Sequence, residues 1–257
     1  MIDYILDDGV KELLIKLEAV LRRIGVDFFV VGAVARDIQL SVDPALAPHR
    51  KTKDVDIAIM IADEKQYYEV KRELLAMEGF TAHETEAIKF FYKQSIELDL
   101  LPFGDIENED RETRIHKPRL FVMDMPGFLE VLPVAKEIEL VEGTNMKVCS
   151  LEGLVLLKLI AYSDNSQRTK DLTDIDHIIS VYFDLDPDLI YDDYMDLLDQ
   201  YDPNNPIYLQ LISARIIGIK IGLLLSDSLP LKERVLKIIN KRPLETWQAM
   251  ATGVENG

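Results

Sequence analysis

The segment Lys53-Asp54-Val55-Asp56-Ile57-Ala58-Ile59 constrains this chain more than any other. Side chains alternate between the two faces of a β-strand, so Val55, Ile57 and Ile59 share one face and Asp54 and Asp56 share the other. The apolar face requires a core to bury against. The acidic face places two like charges side by side, which raises the pKa of one carboxylate unless a cation stands between them. A divalent ion with hard oxygen preferences, such as Mg²⁺, resolves that conflict. A second strand pattern, Ile96-Glu97-Leu98-Asp99-Leu100, repeats the arrangement with Glu97 and Asp99 on one face. If the two strands are neighbours, Asp99 joins Asp54 and Asp56 in a cluster. Such a cluster can hold two metals, about 4 Å apart, that serve an in-line phosphoryl displacement. An isolated Asp-x-Asp is equally the ordinary alternation of a half-exposed sheet, so its surroundings decide its meaning.

Those surroundings are ordered. Val10 to Ile24 carries apolar residues at helical spacing, and Gly25 follows as a C-cap. Asp27 to Val31 reads as a short buried strand, Gly32 as its break, and Ala33 to Leu40 as a helix. Residues 41–53 read as a loop with two prolines. Val55 to Ile61 is a strand, and Asp63 caps a helix that runs to about Glu78. Ile88 to Tyr92 and Ile96 to Leu101 are strands around a turn at Lys93-Gln94-Ser95. Residues 105–117 are polar and aperiodic and read as a loop, while Leu120 to Met123 and Ile138 to Val141 read as strands. Beyond Cys149 only helical patterns remain: Leu151 to Tyr162, Leu172 to Val181, Ile190 to Gln200, Ile207 to Leu225 and Leu231 to Ile239, with a weakly patterned tail after Pro243. The fold class is therefore α+β. An α/β-like N-terminal sheet domain with flanking helices spans residues 1–145, and an all-helical domain spans 146–257.

The turn at Gly32-Ala33 sits between a strand and a helix, where backbone N–H groups and the helix dipole favour an anion. Asp54 follows 22 residues on, after one helix and one loop. Phe29-Val30-Val31-Gly32-Ala33-Val34-Ala35-Arg36-Asp37, then Thr52-Lys53-Asp54-Val55-Asp56-Ile57, then Glu97-Leu98-Asp99-Leu100, resembles the DNA polymerase β-type nucleotidyltransferase superfamily. The Gly32 to Asp37 stretch is similar to the Gly-Gly-x-Val-Arg-Asp of tRNA CCA-adding enzymes. The second half resembles AbiEii-type nucleotidyltransferases: a helix with Lys158 leads to Gln167-Arg168-Thr169-Lys170-Asp171-Leu172-Thr173-Asp174. The resemblance covers about residues 27 to 180. It implies catalytic, metal-binding carboxylates at Asp54, Asp56 and Asp99. It also implies nucleotide contacts from Gly32, Ala33, Arg36, Thr52, Lys158, Arg168 and Lys170, and two Mg²⁺ ions, with Mn²⁺ as a substitute. Ala33 departs from the usual second Gly or Ser; it keeps the N–H but narrows the approach to phosphate. Arg36 either faces the nucleotide or pairs with Asp37 or another acid at the surface. Arg168 and Lys170 either approach the same nucleotide or pair with Asp171 and Asp174.

The implied reaction moves a nucleoside monophosphate from an NTP to a hydroxyl or similar acceptor, a tRNA end, a protein or a small molecule, with release of pyrophosphate. AbiEii-type relatives also imply a toxin with an antitoxin protein as partner. The alternative is a non-catalytic nucleotide-binding or interaction module on the same fold, which Ala33 favours and the three carboxylates oppose. A formal net charge of −17 weighs against broad contact with nucleic acid, which requires Lys and Arg to neutralise phosphates. Eight aspartates and no Lys or Arg between Asp184 and Asp202 read as a solvated surface, or as one that repels RNA or attracts a basic partner. The lone Cys149 leaves no intrachain disulfide, the acidic amphipathic start is unlike a signal peptide, and no apolar run reaches membrane-spanning length. These features predict a cytoplasmic protein with no membrane partner.

Overall fold

The computed structural model describes residues 5–42, 52–141 and 143–257. The chain divides into two compact units, Met1–Ser150 and Leu151–Gly257. The predicted boundary at residue 145 falls within a strand, Thr144–Val148, that pairs into the sheet of the first unit. Much of the 41–53 segment read as a loop, residues 43–51, lies outside the described residues.

In the first unit, α1 (Asp8–Arg23) is capped by Asp7, whose side chain accepts from the Gly9 N–H, and buries Leu13, Leu14, Leu17, Val20 and Leu21 along one face. Then come β1 (Phe28–Val31), α2 (Gly32–Leu40) and β2 (Asp54–Met60). Asp63 caps α3 (Glu64–Leu75) by accepting from the Gln66 N–H at 2.8 Å. Next are β3 (Phe80–Ala82), β4 (Lys89–Tyr92) and β5 (Ile96–Phe103). The hairpin between β4 and β5 turns through Lys93 and Gln94, both at positive φ, as a tight turn matched to strand twist demands. After β6 (Glu112–Ile115), β7 (Phe121–Asp124), the short α4 (Phe128–Val131) and a 3-10 turn at Leu132–Val134, the unit closes with β8 (Lys136–Val141) and β9 (Thr144–Val148).

Seven strands form one mixed sheet in the order β3-β4-β5-β2-β1-β9-β8, and β6 and β7 form a separate hairpin. β2 runs parallel to β5 and β1 parallel to β9; the other pairs are antiparallel. Val55, Ile57 and Ile59 of β2 and Leu98 and Leu100 of β5 are buried, so the apolar faces form core as their alternation requires. Residues 105–117, read as a loop, contain β6, which forms by pairing with β7. β3 and β9 were not foreseen: both are short, and β9 (Thr-Asn-Met-Lys-Val) acquires its strand character from β1 and β8 on its two sides.

The second unit is helical throughout: α5 (Leu151–Asp164), α6 (Thr169–Leu185), α7 (Pro187–Asp193), α8 (Met195–Leu198), α9 (Tyr208–Leu224), α10 (Leu229–Ile239) and α11 (Glu245–Asn256). The helix predicted over Ile190 to Gln200 is two short ones, broken at Tyr194. The tail after Pro243 is an ordered helix. A Cβ on Gly218 of α9 would overlap the Met250 carbonyl oxygen of α11, and one on Gly253 of α11 would overlap that of Arg215. The two backbones therefore touch, and only glycine permits that approach. Trp247 anchors the same helix: it is fully buried, its indole N–H donates to Asp176 at 3.0 Å, and the Arg242 guanidinium lies over its ring. Among the described residues no helix is long and apolar enough to cross a membrane.

Candidate functional site

Parallel pairing of β2 with β5 sets Asp54 opposite Glu97 and Asp56 opposite Asp99. Four carboxylates thus occupy one patch of one sheet face, a juxtaposition that strand alternation allows but does not itself supply. They line a pocket of about 240 Å³ together with Val55 and Lys89. Asp54 is exposed at the strand start, where its backbone N–H donates to Thr52 Oγ1 at 3.2 Å. Asp99 is partly withdrawn from water: its side chain is 28% exposed, and its Oδ1 is buried with no hydrogen-bond partner.

Burial, the largest influence, pushes the Asp99 carboxyl up from 3.8 to about 6. The Lys89 ammonium opposes the rise, and the carboxylates of Asp56, Glu86 and Glu97 add to it.

Gly32 stands at φ +67 where β1 gives way to α2, and a Cβ built on it would overlap Asp56 Oδ2 and lie 2.9 Å from its Cγ. Both the backbone conformation and the neighbouring carboxylate therefore require glycine at this turn. Its contact here is with the acidic strand; Ala33 follows as the second residue of α2. Arg36 donates through Nε and Nη2 to Oδ1 of the buried Asp37 at 3.0 and 2.8 Å.

Lys89 was missed in the sequence. It stands on β4 opposite Asp99, and its ammonium lies 2.8 Å from Glu97 Oε2 and 4.0 Å from Asp99 Oδ1. The signal was available. A hairpin turn centred on Gln94 places each residue opposite its mirror image, which sets Lys89 against Asp99.

In the second unit, Lys158 donates to Asp171 Oδ1 at 3.0 Å and Asp174 Oδ2 at 2.7 Å, and Arg168 Nε donates to Asp171 Oδ2 at 2.7 Å. Lys158 and Arg168 thus pair with these acids, and Lys170 is exposed.

The donor set on the β2–β5 face suits a hard divalent cation. Its ligands are carboxylate oxygens, and Asp99 Oδ1 lacks any donor. Among the described residues no three His, Cys, Asp or Glu side chains stand in metal-ligating arrangement.

Comparison with known proteins follows the same lines. The family model described as "Nucleotidyl transferase AbiEii toxin, Type IV TA system" matches residues 44–256. It takes in Asp54, Asp56 and Asp99, leaves out Gly32 to Asp37, and runs beyond residue 180, where the resemblance read from the sequence stops. No curated protein matches the chain. Among solved structures, the antibiotic-resistance factor ANT(2'')-Ia is 15% identical over 66% of this chain and 83% of its own, with a TM-score of 0.43. An antigenic nucleotidyltransferase-like protein from Paracoccidioides brasiliensis is also 15% identical, over 90% of this chain and 94% of its own, with a TM-score of 0.43. The Thermotoga maritima CCA-adding enzyme in complex with tRNA is 13% identical over 98% and 80%, with a TM-score of 0.29. Likenesses at these scores carry no inference about mechanism, and the family match stands by itself. Since it spans most of the chain and holds all three aspartates of the acidic sheet face, this protein belongs to the AbiEii family and is a nucleotidyltransferase.

Proposed function

We propose that the β2–β5 acidic face is the catalytic centre, transferring a nucleoside monophosphate from an NTP to an acceptor hydroxyl in a metal-dependent reaction. The observation that carries this reading is the register of Asp56 with Asp99, with the buried Asp99 Oδ1 left without a hydrogen-bond donor. Asp54 and Asp56 are the residues to hold Mg²⁺, or Mn²⁺ in its place, with Asp99 beside them on the same face. A divalent ion there supplies positive charge against the triphosphate and the departing pyrophosphate. Asp99, ionised above pH about 6, accepts the acceptor's hydroxyl proton. The freed oxygen bonds to the α-phosphorus, and the α-phosphorus bond to the bridging oxygen breaks, its electron pair leaving with pyrophosphate. The N-terminus of α2, at Gly32 and Ala33, is the phosphate-holding element of the same unit.

The acceptor is a tRNA end, a protein hydroxyl or a small molecule. The charge of −17 favours the last two unless basic residues gather locally. A role as the toxin of a pair, with an antitoxin protein as partner, rests on the family description alone. The direct test is incubation with each α-labelled NTP, Mg²⁺ and a cell extract, followed by fractionation into RNA, protein and small molecules. Label in one fraction with the parent and none with Asp56→Asn supports the reading. Equal label with both proteins overturns it.

A further inference from the structure

Lys89 is an unexpected neighbour for a carboxylate cluster that holds cations. Its side chain is 22% exposed, and its ammonium pairs with Glu97 at 2.8 Å. From that anchor its ammonium reaches to within 4.0 Å of Asp99 Oδ1, the buried oxygen that no donor satisfies. Among the described lining residues it is the single base beside four carboxylates. A protonated amine offers three donors and no lone pair, so it cannot be a metal ligand. It is instead a fixed positive charge at the place where Asp99 would receive a cation. A dication bound to the same oxygen must share it with that charge, at a distance where like charges repel strongly outside bulk water. Swinging Lys89 aside would break its pair with Glu97 and leave that carboxylate among the other three.

We propose that Lys89 takes the cation position at Asp99, so that the enzyme–nucleotide complex holds one divalent ion, on Asp54 and Asp56, rather than two. This rests on the nucleotidyltransfer centre proposed above and deepens it. It leaves Asp99 unligated and therefore open to the acceptor's proton. The sheet register makes this arrangement a property of the fold, since β4 brings Lys89 to Asp99 through the tight turn at Lys93 and Gln94.

The test counts ions rather than turnover. Mn²⁺ is titrated into the protein with a nucleoside triphosphate analogue carrying a methylene between the α- and β-phosphorus, and free Mn²⁺ is read by electron paramagnetic resonance. The parent is expected to retain one Mn²⁺ per complex, and Lys89→Arg also one. Lys89→Met keeps the alkyl stem and drops the charge. It should retain two, the second at least about tenfold more tightly than any second ion on the parent. Lys89→Gln gives the same reading should the methionine variant not fold. Two ions on the parent overturn the proposal without recourse to any variant, and so does a methionine or glutamine variant that stays at one. Failure of the catalytic assignment looks different: the analogue then binds equally well with and without Mn²⁺, and no ion is retained.

Discussion

Asp171 in the helical unit and Asp99 in the sheet unit are both carboxylates withdrawn from water, yet they are met very differently. Asp171, 5% exposed, accepts from Lys158 at 3.0 Å and Arg168 at 2.7 Å, while Lys158 also donates to Asp174. Asp99 has three other carboxylates around its pocket, an ammonium no nearer than 4.0 Å, and one oxygen without a hydrogen bond. The first cluster balances its own charge. In the second, Asp99 Oδ1 is left without a hydrogen-bond donor. A buried acid is thus no sign of function in itself; what matters is whether the fold has already completed its surroundings.

The largest expected effect lies at the incomplete cluster. Asp56→Asn should lower nucleotidyl transfer by roughly a thousandfold, since a neutral amide is a poor ligand for a hard cation and several kcal/mol of transition-state stabilisation is lost. Its metal-free melting temperature should stay level or rise as repulsion is relieved. Activity assays beside thermal melts check both halves, and an active variant would remove Asp56 from the chemistry.

Next in size is the contrast in stability. Lys158→Met takes the shared ammonium from Asp171, which keeps Arg168, and from Asp174, and denaturant unfolding should show a loss of about 1–3 kcal/mol. Asp99→Asn, which removes an ill-matched charge, should cost nothing in the absence of metal. If the two variants unfold alike, the distinction between a finished and an unfinished cluster is wrong.

A similar effect is expected at Gly32→Ala. Holding alanine at φ +67 costs about 1–3 kcal/mol, and its Cβ must also displace the Asp56 carboxylate. Transfer activity should fall together with stability. A variant as stable as the parent would mean that the turn can relax away from Asp56.

The subtlest test is pH. Asp99 titrates near 6 in the folded protein and near 3.8 when unfolded, so between these values the folded state binds more protons. Metal-free stability should therefore fall as pH rises from about 4 to about 7, level off above that, and lose this slope in Asp99→Asn. Saturating Mg²⁺ should flatten the parent's profile too. A parent and Asp99→Asn with parallel profiles would show that Asp99 keeps its ordinary pKa.

Local periodicity made much of this protein legible from its residues alone. The faces of β2 and β5, the cap at Asp63, the turn at Lys93-Gln94-Ser95 and the change from strands to helices near Cys149 each depend on neighbours a few positions apart, and such patterns survive in any sequence. Alternation put Asp54, Asp56, Glu97 and Asp99 on acidic strand faces, and the resemblance to nucleotidyltransferases singled out the three aspartates. Tertiary structure decided what those acids meet. Only strand order sets Asp56 against Asp99, only the β4–β5 register brings Lys89 beside them, and only the packing of β1 on β2 presses Asp56 onto Gly32. The same holds for the elements that escaped the pattern. β9 is a strand because β1 and β8 flank it, and α11 is a helix against α9 because Gly218 and Gly253 let two backbones touch. In each case the stabilising partner is remote in sequence, and no local window contains it.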